Sequence, residues 1–229
     1  MAILRPMPEI GEAKMQFEIQ RVDYAAPETS GAMGGVQAGW PLWTMRLSLA
    51  ALRFEQADVL RAWHRRLRGQ QRKFLGRDTW RPYPRAYPIG FRNMLRVGGG
   101  AFDGTATGWS QSIDANGDAW LELNGVASGL VLSESDYVGF KWASADAAEG
   151  VYDRFTLTCV NSKAIANAVG TIKIEVDPVV PAFVPANAVA YLDKPVCLMK
   201  LIDGTQMPAN EAGWAEAGGV IAAVQVLER

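Results

Sequence analysis

GWPLWTMRLSLAALRFEQADVLRAWHRRLRGQQRKFLGRD, Gly39 to Asp78, decides the fold. Trp43, Met45, Leu47 and Leu49 alternate with Thr44, Arg46 and Ser48, the period of a half-buried strand. The period then changes. Ala57, Leu60, Trp63 and Leu67 recur at spacings of three and four, which predicts one apolar face of a helix near 54–68. Arg61, Arg65, Arg66 and Arg68 fall largely off that stripe. Gly69 can end the helix, and Arg72-Lys73-Phe74-Leu75 can return as a strand. No other stretch has a clear helical period.

Around this unit the chain reads as short strands and turns. Residues 1–14 read as an irregular arm, Met15-Phe17-Ile19 as an alternating strand, and 25–35 as a Gly-rich loop. Pro82, Pro84 and Pro88 forbid a helix or central strand across TWRPYPRAYPIGF, residues 79–91. There Trp80, Tyr83, Tyr87 and Phe91 alternate with arginines, a composition that stacks on bases or sugars, or anchors an extended arm on the protein's own surface or a partner's. Residues 97–108 read as a Gly-rich linker or long hairpin loop, and Asn116-Gly117 as a hairpin turn between strands near 109–113 and 119–123.

Phe155, Leu157 and Cys159 share one face of a strand, with Thr156 and Thr158 opposite; Ile172, Ile174 and Val176 form another stripe. Residues 177–188 are a proline-broken connector. Strands near 196–202 and 220–227 close the chain, with a loop at 203–218 between them. The expected fold is mainly β (α+β): a barrel or sandwich body with one flanking amphipathic helix and a smaller second β unit. The expected boundaries are 1–96 for the helix-bearing barrel, 97–176 for the second unit and 177–229 for the connector and closing strands.

The formal net charge of −1 gives the whole molecule no nucleic-acid or membrane signal. Its distribution is uneven: residues 53–96 hold twelve Arg or Lys against three acids, Glu55, Asp58 and Asp78. Such polarity suits head-to-tail stacking of copies or an acidic neighbour, or is a solvated helix face. Cys159 and Cys197 read as buried free thiols in a reducing compartment, with a single disulfide as the alternative. The opening MAILRPMPEIGEAKM lacks the apolar core of a signal peptide, and no apolar run approaches a membrane span.

Chemistry is sparse. His64, the only histidine, sits on the Arg-rich helix, and no GxSxG, phosphate-loop or dinucleotide motif occurs. Asp114-Asn116-Asp118 opens like a calcium loop, but its twelfth position is Gly125, so a hairpin turn is expected and no metal or cofactor. Glu122, Asp136 and Asp153 are the acids available to a hydrolase. Trp109 and Trp120, with Tyr137 and Trp142, either line a sugar-binding face or belong to the core.

The strand GWPLWTMRLSLAAL, the helix ending in Leu67-Arg68-Gly69, Phe74 and the Pro82–Pro84 turn resemble the N-terminal domain of distal tail proteins of long-tailed (siphophage-like) phages and gene transfer agents. SDYVGF, ANAVGTIKIEVDPVVP and VPANAVAYLDKPVCLMKL resemble the second half of such tail-tip proteins. The resemblance covers most of residues 15–203. It implies a non-enzymatic structural protein of the virion tail tip, made in the host cytoplasm. Family members form a ring, usually a homohexamer, that joins the tail tube protein to the hub or baseplate protein. The tape-measure protein or DNA passes through the ring's lumen without specific binding, and the protein does not insert into a membrane. Arg61, Arg65, Arg66, Arg68, Trp80, Tyr83 and Tyr87 are then the candidate subunit or partner interface, the arginines meeting acidic protein surfaces or solvent. The alternatives are a carbohydrate-binding module using Trp109 and Trp120, and a tail-associated cell-wall hydrolase.

Overall fold

The computed structural model describes residues 4–27, 29, 31–144, 152–211, 214–215 and 218–228. The fold is mainly β with one α-helix. In chain order the N-terminal elements are β1 (Arg5–Pro6), β2 (Glu12–Gln20), β3 (Asp23–Pro27), β4 (Met33–Gln37), β5 (Leu42–Leu49), α1 (Phe54–Leu67) and β6 (Phe74–Gly76). Next come β7 (Gly108–Ile113), β8 (Ala119–Asn124), β9 (Val131–Leu132), β10 (Tyr137–Ala143), β11 (Asp153–Val160), β12 (Ala164–Ile165) and β13 (Thr171–Asp177). The last are β14 (Val189–Tyr191), β15 (Cys197–Leu201), β16 (Asn210–Glu211), β17 (Trp214–Ala215) and β18 (Val220–Gln225).

The chain forms two compact units. One holds Pro8–Lys73 and Met199–Val226; the other holds Met1–Met7, Phe74–Leu198 and Leu227–Arg229. These borders replace the expected ones at 96 and 176. The reason is that residues 74–96 and 177–198 fold with the expected second unit, which makes that unit the larger one.

In the helix-bearing unit β5 pairs antiparallel with β2 on one side and β18 on the other. Trp43, Met45, Leu47 and Leu49 are all buried, as their alternation requires. Phe17 on β2 stacks on Trp43 with ring centroids 5.1 Å apart. The buried side chain of Gln225 on β18 accepts a hydrogen bond from the Trp43 N–H at 3.2 Å. Helix α1 buries Ala57, Leu60, Trp63 and Leu67, the stripe read from the sequence. The Gln56 side chain accepts from the Arg53 N–H and caps the start. At the end Arg68 turns left-handed (φ 52°) and Gly69 follows (φ 64°).

Three expectations about this unit change. The arm at 1–14 is strand from Glu12, with a register shift between Glu12 and Lys14 that lets β2 run on past the bulge. The loop at 25–35 is largely a hairpin, β3 pairing β4 from Asp23↔Gln37 to Pro27↔Met33; Glu28 and Ser30 lie outside the described residues. The 203–218 loop carries β16 and β17, and Ala215 of β17 exchanges backbone hydrogen bonds with Leu52.

The larger unit is built on one antiparallel sheet of order β14-β10-β11-β13-β8-β7, and it also holds β1 and β6, which pair in parallel. The sheet is not a closed barrel, although Ala106 N–H donates to Ala190 O and links the chain before β7 to β14. Its inner face buries Leu121, Leu123, Val138, Phe140, Ile172 and Ile174. The Asn116-Gly117 turn joins β7 to β8 as expected, with Gly117 at φ 91°. Gln111 pins the 177–188 connector: its side chain accepts from Val180 N–H and donates to Val180 O.

Strand β11 turns its polar side inward. Arg154, Thr156 and Thr158 are buried opposite Trp142, Phe140 and Val138, while Phe155 and Cys159 stay half-exposed on the other face. The inward polar groups are satisfied. Thr158 donates to Pro178 O at 2.6 Å, and Arg154 packs over the Tyr152 ring with its guanidinium 3.6 Å from the Glu228 carboxylate. Cys159 and Cys197 are not joined in a disulfide; Cys197 is buried, and burial pushes its thiol up. Residues 145–151 lie outside the described residues.

The alternation on β5 is testable. Leu47→Ala should destabilise the protein by about 2–5 kcal/mol, whereas Arg46→Ala on the exposed face should stay within about 0.5 kcal/mol. Urea unfolding followed by tryptophan fluorescence checks this; equal effects would contradict the register.

Candidate functional site

Strands β3 and β4 make a two-stranded ribbon whose described side chains are nearly all exposed. Tyr24 and Val36 are direct partners, at 67% and 68% exposure, and Met33, on the ribbon's other face opposite Pro27, is at 69%. Val22 and Trp40 extend the apolar surface towards the ribbon's base. The Ala38 N–H donates to Val22 O there. Exposed apolar side chains gathered on one two-stranded ribbon, which pairs with no other strand among the described residues, mark an interaction surface.

A second surface lies on the same unit at the end of α1. Arg65, Arg66, Arg68 and Arg72 surround Ala62 in a shallow depression. The Arg72 side chain donates to Arg66 O at 3.0 Å, and Arg65, Arg66 and Arg68 are exposed. Cations in the last turn are favoured by the negative end of the helix dipole, so the cluster costs the helix little. Arg61 separates from this group. It donates to Pro208 O at 2.8 Å and to Asn210 Oδ1 at 2.6 Å, and lies 3.5 Å from Asp58. It is an internal brace between α1 and the loop before β16.

The aromatic stretch 79–91 folds onto its own unit. The Tyr87 hydroxyl accepts from Val131 N–H at 2.9 Å. Tyr83, Tyr87 and Phe102 all pack around Phe91, with ring centroids 6.3, 5.7 and 5.0 Å away. Asp136 accepts from the Arg85 N–H at 2.9 Å and from the Ser133 N–H at 2.7 Å. Pro82 O accepts from Lys194 N–H. Tyr83 and Tyr87 are therefore packing residues here, and Trp80, 62% exposed, is the aromatic that remains open.

Trp109 and Trp120 do not form one platform. Trp109 pairs with Leu123 and Trp120 with Ser112, so the two indoles lie on opposite faces of the sheet. Trp109 stacks edge-on against Phe140 at 4.8 Å and donates to Ala188 O. Trp120 is on the outer face, with the Lys173 ammonium 5.1 Å from its ring.

Of the acids considered for catalysis, Asp136 and Asp153 have structural tasks, and Glu122 sits on the outer face of β8 opposite Ser110 and Lys173. Asp136 is buried in the clasp on Arg85 and Ser133, and burial holds its carboxyl above the usual range despite those bonds. Asp153 pairs with Lys141 at 2.9 Å. Asp114 accepts from Asp118 and Asn116 N–H groups within its own turn, which lowers its pKa. Among the described residues no group of three or more His, Cys, Asp or Glu is placed to hold a metal ion. No described helix is long and apolar enough to cross a membrane.

One surface feature escaped the sequence reading: a cleft of about 720 Å³ on the larger unit, lined from the stretches 103–105, 141–143, 153–155 and 187–196. No single stretch carries a signal for it. Neither the known family models nor the curated proteins contain a match to this chain.

Asp136 yields a pH prediction. A carboxyl raised above its ordinary value of 3.8 holds its proton longer in the folded than in the unfolded state. Its contribution is thus most favourable below that value and is lost as pH rises through the raised one. Asp136→Ala, which strands two N–H donors, should cost about 1–3 kcal/mol near neutrality. The gap between wild type and variant should widen on acidification towards pH 4, read by urea unfolding over a pH series. A gap that shrinks on acidification contradicts the assignment.

Proposed function

We propose that this chain is a structural, non-catalytic protein of a phage-like tail tip, assembling into a ring that joins the tail tube to the hub or baseplate. The observation that carries the reading is the apolar ribbon of β3 and β4. Tyr24, Met33 and Val36 stand in water on a single chain, and a neighbouring copy would remove them from it. The likeness of the Trp43 strand, the α1 helix and the Pro82–Pro84 turn to distal tail proteins supports the same reading and makes a homohexamer the expected assembly. In that ring the exposed Arg65, Arg66, Arg68 and Arg72 face an acidic surface of the next tail component. The tape-measure protein and DNA pass through the lumen. The protein then belongs to the virion and is made in the host cytoplasm.

Mass photometry tests this directly. Wild type at micromolar concentration should show a species near six times the 24.9 kDa protomer. Tyr24→Lys with Val36→Lys should shift it to the protomer while far-UV circular dichroism is unchanged. A protein that is monomeric at every concentration and absent from purified particles would sink the reading.

A further inference from the structure

The face of the larger unit's sheet opposite its core holds a second opportunity. On β10, β11 and β14 the outward residues include Lys141, Asp153, Phe155, Val189 and Tyr191, and they floor the cleft of about 720 Å³. That volume is in the range of small-ligand sites. Gly139 makes room for the floor. A Cβ there would stand 2.6 Å from the Tyr191 ring, so only glycine lets the ring lie over β10. The Tyr191 hydroxyl accepts from Val196 N–H at 3.2 Å and reaches Val196 O at 3.5 Å. The ring is thereby held in place as a fixed apolar surface.

The charges around this floor cancel. Lys141 and Asp153 pair with one another at 2.9 Å. Asp103 is bonded by the Thr105 hydroxyl and by Arg96. Asp193 and Lys194 are exposed neighbours of opposite sign. A strongly anionic or cationic ligand therefore gains nothing from the net field. A purely apolar ligand would have to desolvate these charged groups without replacing their water. A ligand that is neutral, has an apolar face for Tyr191 and Phe155, and carries many hydroxyls around its rim satisfies all three conditions. Exposed Asn187 adds an amide that can donate and accept at once.

We propose that this cleft is a saccharide-binding site, with the Tyr191 and Phe155 rings under the sugar and Asn187, Asp193 and Lys141 on its hydroxyls. The site is distinct from Trp109, which lies on the inner face, and from Trp120, which shares the outer face but stands on β8, and it does not depend on ring assembly. A monomeric protein that binds sugar would uphold it while sinking the tail-tip reading.

The test is an NMR titration of the ¹⁵N-labelled chain with oligosaccharides of glucose, galactose, rhamnose and N-acetylglucosamine, supported by a glycan array. At least one sugar should shift amide resonances of 139–143, 153–155 and 187–196 at millimolar concentration or below. Asn187→Ala with Asp193→Ala, both at exposed positions, should weaken that sugar at least tenfold with an otherwise unchanged spectrum. Trp120→Ala should leave binding as it was. The proposal is overturned if no sugar shifts these resonances, if the shifts map to other strands, or if the double variant binds like wild type.

Discussion

Strand β5 is the constraint on which the helix-bearing unit depends. It is hydrogen-bonded on both sides, and every second residue from Trp43 to Leu49 is buried. A slip of one residue against either neighbour would send those four side chains into water and Arg46 into the core. Gln225 strengthens the same register at one point, because its amide meets the Trp43 N–H only when β18 is aligned as observed. The β3–β4 ribbon lies between β2 and β5 in the chain, so their register also sets where its base begins.

The larger unit spends its polar groups differently. Arg154 and Thr158 on the inner face of β11, and Asp136 ahead of β10, are each answered by a carbonyl, a carboxylate or a backbone N–H. These groups hold the connector at 178, the C-terminal Glu228 and the proline-rich stretch at 79–91. Their burial removes them from the list of groups free to meet a ligand. What the unit leaves accessible is part of the outer sheet face, beside Tyr191, where Gly139 makes room for the ring that floors the cleft.

Legibility followed periodicity. The β5 alternation and the α1 stripe were readable because large apolar residues recur at the period of each element, and they were found buried where expected. The β3–β4 ribbon was not, since Ala25, Ala26, Gly34 and Gly35 carry no apolar alternation to detect. The inward side of β11 was ambiguous because threonines and an arginine satisfied by distant partners look like a solvent face. Residues 79–91 were readable as extended and aromatic. Their docking on Val131, Asp136 and Phe102 was not, because nothing local in the sequence couples them. The cleft is harder still, being assembled from four stretches far apart along the chain.

The winding of the chain has a consequence for biosynthesis. The helix-bearing unit takes Pro8–Lys73 and then waits for Met199–Val226, while the larger unit takes its last segment from Leu227 onward. An emerging nascent chain can pair β2 with β5 early, but β5 keeps an open edge until β18 has been made. Arg154 likewise has no Glu228 carboxylate until almost the last described codon is read. Neither unit can finish ahead of the other, and loop closure spans most of the chain in both. Folding is therefore tied to translation through Glu228, and truncated products should be left with an unpaired β5 edge that chaperones and proteases can recognise.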